Sequence, residues 1–137
     1  MVKFLSDEWI DYGKKYILEK LDPERDMKCI TTSILCIIEN VPPNDETINL
    51  YIELKNGKLN DLQVSIGEIS DGKEAVFVIR GNYGTYKDIL EGKLGTAMAL
   101  LKNRLKLKGS RTEILKIIKP IDGLIESLRK VTDEFEK

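Results

Sequence analysis

Chemistry in this 137-residue chain would have to rest on carboxylates, lysines, tyrosines or two cysteines, because the sequence has no histidine. The lack of histidine excludes Ser-His-Asp and Cys-His nucleophiles, and most zinc and non-haem iron sites. The carboxylates show no catalytic constellation, since Asp7 and Glu8 suit the first turn of a helix and Asp71 begins an Asp-Gly turn. We therefore expect no enzyme, no metal site and no cofactor.

The two cysteines, Cys29 and Cys36, fall within one predicted strand, Met27–Asn40. At ~3.3 Å per residue they would be about 23 Å apart on opposite faces, too far for a disulfide. Free cysteine usually behaves as a small buried apolar residue. We expect these two to be structural.

Charge and glycine spacing exclude other classes of function. The chain has 22 basic and 23 acidic residues and a net charge of −1, which does not favour nucleic acid. The glycines of one segment match neither a dinucleotide-binding nor a Walker loop. These are Gly81, Gly84, Gly92 and Gly95.

Length and hydropathy predict a single domain over residues 1–137. No apolar stretch reaches the ~20 residues of a transmembrane helix. The apolar run at the N-terminus is too short for a signal peptide, and the C-terminal residues are not of the peroxisomal type. We expect a cytosolic protein without a transmembrane segment.

Periodicity predicts helices at both ends and a five-stranded, mainly antiparallel sheet. A first helix is capped by Ser6, two short helices lie between Tyr83 and Leu101, and a C-terminal apolar stripe runs from Ile114 to Phe135 with a break at Pro120. The predicted strands are Met27–Asn40, Ile48–Leu54, a third through Leu62 and Val64, Glu74–Arg80 and Arg104–Lys108. The fold class is α+β, with the helices packed on one face of the sheet.

The Asn56-Gly57 pair predicts a tight hairpin between the second and third strands. A two-residue loop would place Leu50 opposite the polar Gln63. A three-residue loop with Gly57 as a bulge pairs Leu50 with Leu62 and collects apolar side chains on one face. We therefore predict the three-residue loop.

The segment from Tyr83 to Ser110 resembles the C-terminal half of the sterol carrier protein type two domain. The similarity lies in the turn Gly92–Leu94, the small helical residue Ala99 and the strand Leu105–Gly109. More faintly, the order of elements fits along the whole chain.

Two departures from the family pattern occur in this segment. Gly95 and Thr96 stand where the family often has Asp-Pro, which sets the start of the helix less firmly. Asn103 replaces a frequent glycine, and asparagine tolerates a left-handed turn.

The resemblance implies an apolar tunnel between sheet and helices, with its entrance near the C-terminal helix. Its ligand would be a lipid or another long apolar molecule, such as a fatty acyl chain, an acyl thioester, a sterol or an isoprenoid. A headgroup would stay near the mouth or contact Tyr83, Tyr86, Ser110 or Arg111. The expected ligand-binding residues are Ile48, Leu50, Ile52, Leu62, Val64, Ile66, Tyr86, Leu90, Met98, Leu101, Ile117, Ile121, Leu124 and Leu128.

The same residues would also serve a solid core, so other interpretations stay open. The C-terminal stripe could pack against a second copy of the chain as a homodimer, or against another protein. A third interpretation is a ligand-holding subunit that presents an acyl thioester to a partner enzyme. Concentration-dependent size without a ligand effect would favour the interaction module.

Overall fold

The computed structural model describes residues 3–67 and 75–132. The helices are α1 (Asp7–Lys20), α2 (Tyr83–Leu90), α3 (Thr96–Leu101), α4 (Arg111–Lys116) and α5 (Ile118–Lys130). The strands are β1 (Thr32–Val41), β2 (Glu46–Lys55), β3 (Lys58–Ile66), β4 (Phe77–Asn82) and β5 (Lys106–Lys108). The predicted Asp71-Gly72 turn and the end of the apolar stripe at Phe135 lie outside the described residues.

The strands form one sheet in the order β3-β2-β1-β4-β5. All neighbours are antiparallel except β1 and β4, which are parallel because the chain crosses back over the sheet. This arrangement confirms the predicted α+β class with a mainly antiparallel sheet. The core beneath the helices takes Ile34, Cys36 and Ile38 from β1, whereas the buried Leu35 of the same strand lies outside that core.

Helix α1 starts where the sequence places it. The Ser6 Oγ accepts a hydrogen bond from the Trp9 backbone N–H at 3.1 Å, which satisfies one of the unpaired donors of the first turn. Asp7 and Glu8 put negative charge at the positive end of the helix dipole. Trp9 is fully buried, so this cap fixes a core residue as well as a helix end.

Strand β1 begins at Thr32, later than predicted. Lys28 and Cys29 both have φ of 54°, which is incompatible with a strand, and the Cys29 N–H donates to the Pro23 carbonyl at 2.8 Å. Cys29 is therefore an exposed turn residue, and the prediction that both cysteines share one strand was wrong. Both thiols are free.

The predicted three-residue loop of the β2–β3 hairpin was also wrong. Leu54 lies directly opposite Leu59, so the loop has two residues, Asn56 and Gly57, with φ of 50° and 80°. A type I′ turn of this kind matches the right-handed twist of the flanking strands. Gly57 is required for a second reason, because a Cβ there would lie 2.1 Å from the Pro23 carbonyl oxygen.

A shift of register next to Glu53 brings the apolar side chains of the hairpin together despite the two-residue loop. Beyond this irregularity, Ile52 pairs with Leu62 and Leu50 with Val64. A β-bulge of this type adds one residue to one strand and returns the following residues to the correct face. The physical requirement for a common apolar face was predicted, but the bulge lies in the strand instead of the loop.

The break in the C-terminal helical region lies at Ile117, not at Pro120. Ile117 has φ −112° and ψ 14°, which ends α4 and begins α5. Pro120 falls in the first turn of α5, where backbone N–H groups have no helical partner and proline is tolerated. Asn103 has φ of 57°, as the predicted left-handed turn requires, and this turn delays β5 to Lys106.

Candidate ligand-binding cavity

A cavity of about 90 Å³ lies between the sheet and the helices. Its floor comes from β1, β2 and β4, and its roof mainly from α2 and α5. Almost every group that lines it is a hydrocarbon side chain. The described residues that line it are Phe4, Trp9, Ile34, Cys36, Ile38, Leu50, Ile52, Ile79, Tyr86, Ile89, Leu90, Thr96, Leu105, Ile121, Leu124, Ile125 and Leu128.

Strand register explains the floor of the cavity. Cys36 lies opposite Leu50 on one side and Ile79 on the other, so three strands contribute neighbouring side chains on one face. Residues two apart on a strand share a face. Ile34 and Ile38 therefore extend the same apolar surface along β1.

The roof follows helical spacing. Residues 121, 124, 125 and 128 of α5 lie at i, i+3, i+4 and i+7, which places them on one face of the helix toward the sheet. On α2, Tyr86, Ile89 and Leu90 do the same. The cavity thus lies between two amphipathic surfaces.

The structure places half of the fourteen expected ligand-binding residues around this cavity. They are Leu50, Ile52, Tyr86, Leu90, Ile121, Leu124 and Leu128. The other seven lie elsewhere. They are Ile48, Leu62, Val64, Ile66, Met98, Leu101 and Ile117.

Helix α3 shows why some expected residues lie outside. Ala99 is fully buried and Leu100 is 2% exposed, whereas Met98 and Leu101 are 48% and 64% exposed. The small Ala99 lets the helix backbone approach the core closely, which turns Met98 and Leu101 to the outer face. The expectation that Met98 points into a cavity does not fit this orientation.

The remaining expected residues lie in other parts of the fold, outside the cavity. Leu62 is fully packed beneath α1, and Ile66, at the end of edge strand β3, is 69% exposed. Ile48, Val64 and Ile117 are partly buried against the core.

Ten lining residues were not expected from the sequence. The alternating pattern of β1 places Ile34 and Ile38 on one face of the strand, and the same pattern could have predicted Cys36. Phe4 and Trp9 carried no such signal, because only the docking of the N-terminal segment brings them to the cavity. The others are Ile79, Ile89, Thr96, Leu105 and Ile125.

The polar atoms of the lining are mostly engaged within the protein. The Tyr86 hydroxyl donates to the Ile79 carbonyl at 2.7 Å, and the Trp9 Nε1–H donates to the Thr132 Oγ1 at 2.7 Å. Burial raises the pKa of the Cys36 thiol to about 12, and the adjacent Tyr86 hydroxyl only partly opposes this shift. Burial also raises the pKa of Tyr86 well above its usual value. Both groups therefore stay neutral at physiological pH, and Cys36 is a poor nucleophile.

Thr96 is another polar residue of the lining. It is 5% exposed, and its buried Oγ1 lies beside the Asp122 carboxyl of α5. Burial raises the pKa of Asp122, and the side-chain hydrogen bond from the Thr96 hydroxyl only partly opposes this shift. Within residues 3–67 and 75–132, no group of acidic or cysteine side chains could hold a metal ion.

Comparison of the sequence with protein-family models gives a match to the SCP-2 sterol transfer family over residues 24–122. The chain belongs to this family. Membership in the SCP-2 sterol transfer family supports binding or transfer of lipids or sterols as the general class of function, and domains of this family are generally non-catalytic. No helix in the described ranges is both long enough and apolar enough to cross a bilayer.

Solved structures share the SCP-2 fold with this chain. Protein TT1886 from Thermus thermophilus is 20% identical, with 97% of this chain and 92% of that chain covered and a TM-score of 0.80. A crystal structure of sterol carrier protein 2 is 21% identical over 94% and 99% of the chains, with a TM-score of 0.75. Palmitated SCP2L2 from Aedes aegypti is 17% identical over 88% and 95%, with a TM-score of 0.54. The sequence matches none of the curated proteins compared with it.

Proposed function

We propose that this domain binds the apolar chain of a lipid in the cavity between the sheet and helices α2 and α5, and that it carries this ligand without catalysis. The observation that carries the proposal is the apolar cavity, in which Cys36 and Tyr86 are neutral and engaged with their neighbours. The palmitated relative supports a fatty acyl chain as one class of ligand. A cytosolic location is part of the proposal.

A long ligand requires the cavity to enlarge. An apolar cavity of about 150 Å³ admits benzene, so the 90 Å³ present here is too small for an acyl chain. Helix α5 is the part of the cavity wall best suited to move. The helical backbone is interrupted at Ile117, and the first turn of α5 has no side-chain cap. Outward displacement of α5 would carry Ile121, Leu124 and Leu128 away from the sheet together.

Burial of hydrocarbon supplies the binding free energy. Each methylene removed from water contributes ~0.8 kcal/mol, so a ten-carbon segment supplies ~8 kcal/mol before the costs of association and of moving α5. Such binding needs no charged anchor. We expect broad selectivity among chains of similar length.

The first test is to identify what the purified protein carries. Native mass spectrometry before and after organic extraction measures any bound compound, and the extracted protein is then titrated with palmitic acid, an acyl thioester, 1-hexadecanol and cholesterol. We expect one apolar molecule per chain or micromolar binding of a member of this panel. A protein that is empty and rejects the whole panel would overturn the proposal.

A pair of tryptophan variants locates the ligand. Leu124 lines the cavity, so Leu124→Trp fills space that the ligand needs and should weaken acyl-chain binding at least tenfold, at a stability cost of about 1–3 kcal/mol. Met98→Trp lies on the exposed face of α3 and should change binding less than twofold. Equal binding by the two variants, measured by fluorescence displacement, would place the ligand elsewhere.

The homodimer alternative has less support than ligand binding. Ile121, Leu124 and Leu128 of the C-terminal stripe are buried within the chain, where they are not available to a second copy while α5 stays docked. Light scattering of the extracted protein over a range of concentrations tests this alternative. A dimer that ligand does not affect would favour it.

A further inference from the structure

A second space, the outer groove, lies beside the cavity at the start of helix α2. Its volume is about 220 Å³, more than twice that of the cavity. Most of its wall is apolar and includes Val41, Ile48, Ile66 and Tyr83. Among the described residues, Phe4 is the one that borders both the groove and the cavity.

The sheet forms one apolar surface that runs from the groove into the cavity. On β2, Ile48 lines the groove and Leu50 lines the cavity, and residues two apart on a strand share a face. Ile38 of β1 lies opposite Ile48 and belongs to the cavity lining. The floor of the groove therefore begins only about 7 Å along the strand from the floor of the cavity.

Helix α2 covers both spaces in the same way. Tyr83 borders the groove and Tyr86, three residues later, borders the cavity. Residues three apart lie on the same side of a helix, so one face of α2 continues across both. Between them stands the Phe4 ring, whose centroid is 5.9 Å from that of Tyr83 and 5.2 Å from that of Trp9 in the cavity wall.

The backbone next to Phe4 is strained. Leu5 has φ of 69°, in the left-handed region that leucine rarely adopts. Ser6 closes this turn, because its backbone N–H and its hydroxyl both donate to the Lys3 carbonyl, at 3.1 and 2.7 Å. Trp9 is instead fully buried and held by a side-chain hydrogen bond. Since a change of conformation at Leu5 would relieve strain, Phe4 is better suited to move than Trp9.

The groove leads outward to polar groups. Pro42, Pro43 and Tyr83 border both the groove and an adjoining hollow. The polar residues that line this hollow are Asn40, Asp45 and Asn82. From the inside outward, the protein thus presents a hydrocarbon cavity, a mostly apolar groove and a polar rim. This order matches a single-chain amphiphile whose hydrocarbon tail points inward.

We propose that the outer groove is the second half of the ligand site and that Phe4 is the gate between the two halves. A single-chain lipid places its methyl end in the cavity, passes the displaced Phe4 ring, and lies along Ile48 and Tyr83 with its polar end outside. This inference rests on the proposed lipid-binding function. It places the mouth at the N-terminal segment, whereas the family resemblance implies an entrance near the C-terminal helix.

Nitroxide-labelled stearic acids test the orientation of the chain. Trp9 is the sole tryptophan of the sequence and lines the cavity, so its fluorescence reports a nitroxide placed there. We expect 16-doxylstearate, labelled near the methyl end, to quench Trp9 at least twofold more strongly than 5-doxylstearate, labelled near the carboxyl end. Equal quenching, or stronger quenching by the second probe, would overturn the inward orientation of the tail.

Amide NMR signals of the wild type locate the mouth. Bound 5-doxylstearate should broaden the signals of Ile48, Ile66 and Tyr83, with unlabelled stearate as the reference. Broadening at Ile117 and Asp122, with none in the groove, would place the entrance at the C-terminal helix and overturn the inference. This measurement needs no variant, so it does not depend on how well a Phe4 substitution folds.

Release kinetics test the gate itself. Recovery of Trp9 fluorescence measures the transfer of 16-doxylstearate to excess phosphatidylcholine vesicles. Phe4→Leu keeps an apolar side chain but removes the ring, and should speed release at least fivefold. The control, Phe77→Leu, alters a buried phenylalanine outside the lining of both spaces and should change the rate less than twofold. An unchanged rate in Phe4→Leu, or equal acceleration in both variants, would overturn the role of Phe4.

The outcomes also separate this inference from the proposed function. If stearate binds but its labelled carboxyl end lies beside α5, the groove and gate fail while lipid binding stands. If neither doxylstearate quenches Trp9 and native mass spectrometry detects no bound stearate, both fail.

Discussion

Two regions of the same core use similar aliphatic residues with different results. Met27, Leu54 and Leu62 are each only 1% exposed, Leu62 lies beneath α1, and we call these three residues the packed end. Between β1, β4 and α5 lies the cavity end, where Leu124 is 3% exposed and yet borders empty space. Burial alone therefore does not distinguish a solid core from a binding cavity. What differs is whether neighbouring atoms fill the space around the buried side chains.

Gly13 accounts for part of this difference. A Cβ at this position of α1 would lie 3.6 Å from Leu62 Cδ2 and 2.9 Å from Leu128 Cδ2. Without a side chain there, α1 can lie close to both β3 and α5. On α5, the first turn has no side-chain cap, and the residues toward the sheet border the cavity.

The largest effect should come from truncating one leucine at each end. Leu62→Ala removes a fully packed side chain and should lower the free energy of unfolding by about 3–5 kcal/mol. Leu124→Ala should cost about 2–3 kcal/mol, because a side chain beside empty space has fewer contacts to lose. Urea denaturation of both variants measures the difference.

Ligand binding gives a second test of the Leu124→Ala variant. A saturating acyl ligand should raise the Tm of Leu124→Ala by at least as much as that of the wild type, since the ligand can fill the enlarged cavity. If Leu124→Ala proves as costly as Leu62→Ala and gains nothing from ligand, the two ends would be energetically alike and the comparison would fail.

An intermediate effect should appear at alkaline pH and belong to the cavity end. Burial raises the pKa of Cys36 to about 12, whereas an unfolded cysteine loses its proton near pH 8.5. The unfolded chain thus binds fewer protons than the folded one in this interval, so stability falls as pH rises, by up to about 1.4 kcal/mol per pH unit. Above about pH 10, Tyr86 adds to the loss, because its pKa is also raised by burial.

Cysteine variants assign this pH dependence to its source. Cys36→Ala should remove most of the slope between pH 9 and 10 in urea denaturation, whereas Cys29→Ala in the exposed turn should keep it. A slope that persists in Cys36→Ala would mean that another group is responsible.

The smallest effect should come from Gly13, which contacts both ends. Alanine gains about 1 kcal/mol of helix propensity over glycine, while its Cβ pushes Leu128 toward the cavity. We expect Gly13→Ala to change the free energy of unfolding by less than about 1 kcal/mol and to weaken acyl-chain binding about 2- to 5-fold. Gly123→Ala on α5, where a Cβ meets nothing within 4 Å, is the control that should leave binding unchanged. Unaltered binding in Gly13→Ala would show that Leu128 does not transmit the change.

Local sequence patterns predicted which helices and strands form better than they predicted where each begins and ends. The Ser6 cap and the turn at Asn103 were predictable because each depends on a few neighbouring residues. The mainly antiparallel sheet was predictable because short turns join β1 to β2 and β2 to β3. The start of β1, the two-residue loop of the hairpin and the break at Ile117 were not. Each of these is decided by contacts beyond the pattern itself, such as the hydrogen bond from Cys29 to Pro23.

The sequence by itself determined the α+β class and the lack of histidine chemistry, because these follow from composition and short-range periodicity. The family resemblance rests on the short motifs between Tyr83 and Ser110. Only the tertiary structure decided which apolar residues border a cavity. Met98 and Leu124 both lie in apolar helical patterns, but Met98 faces outward and Leu124 faces the sheet. The physical reason is that periodicity fixes which face of a helix is apolar, whereas the distance between that face and the sheet depends on residues far apart in the chain, such as Gly13 and Leu128.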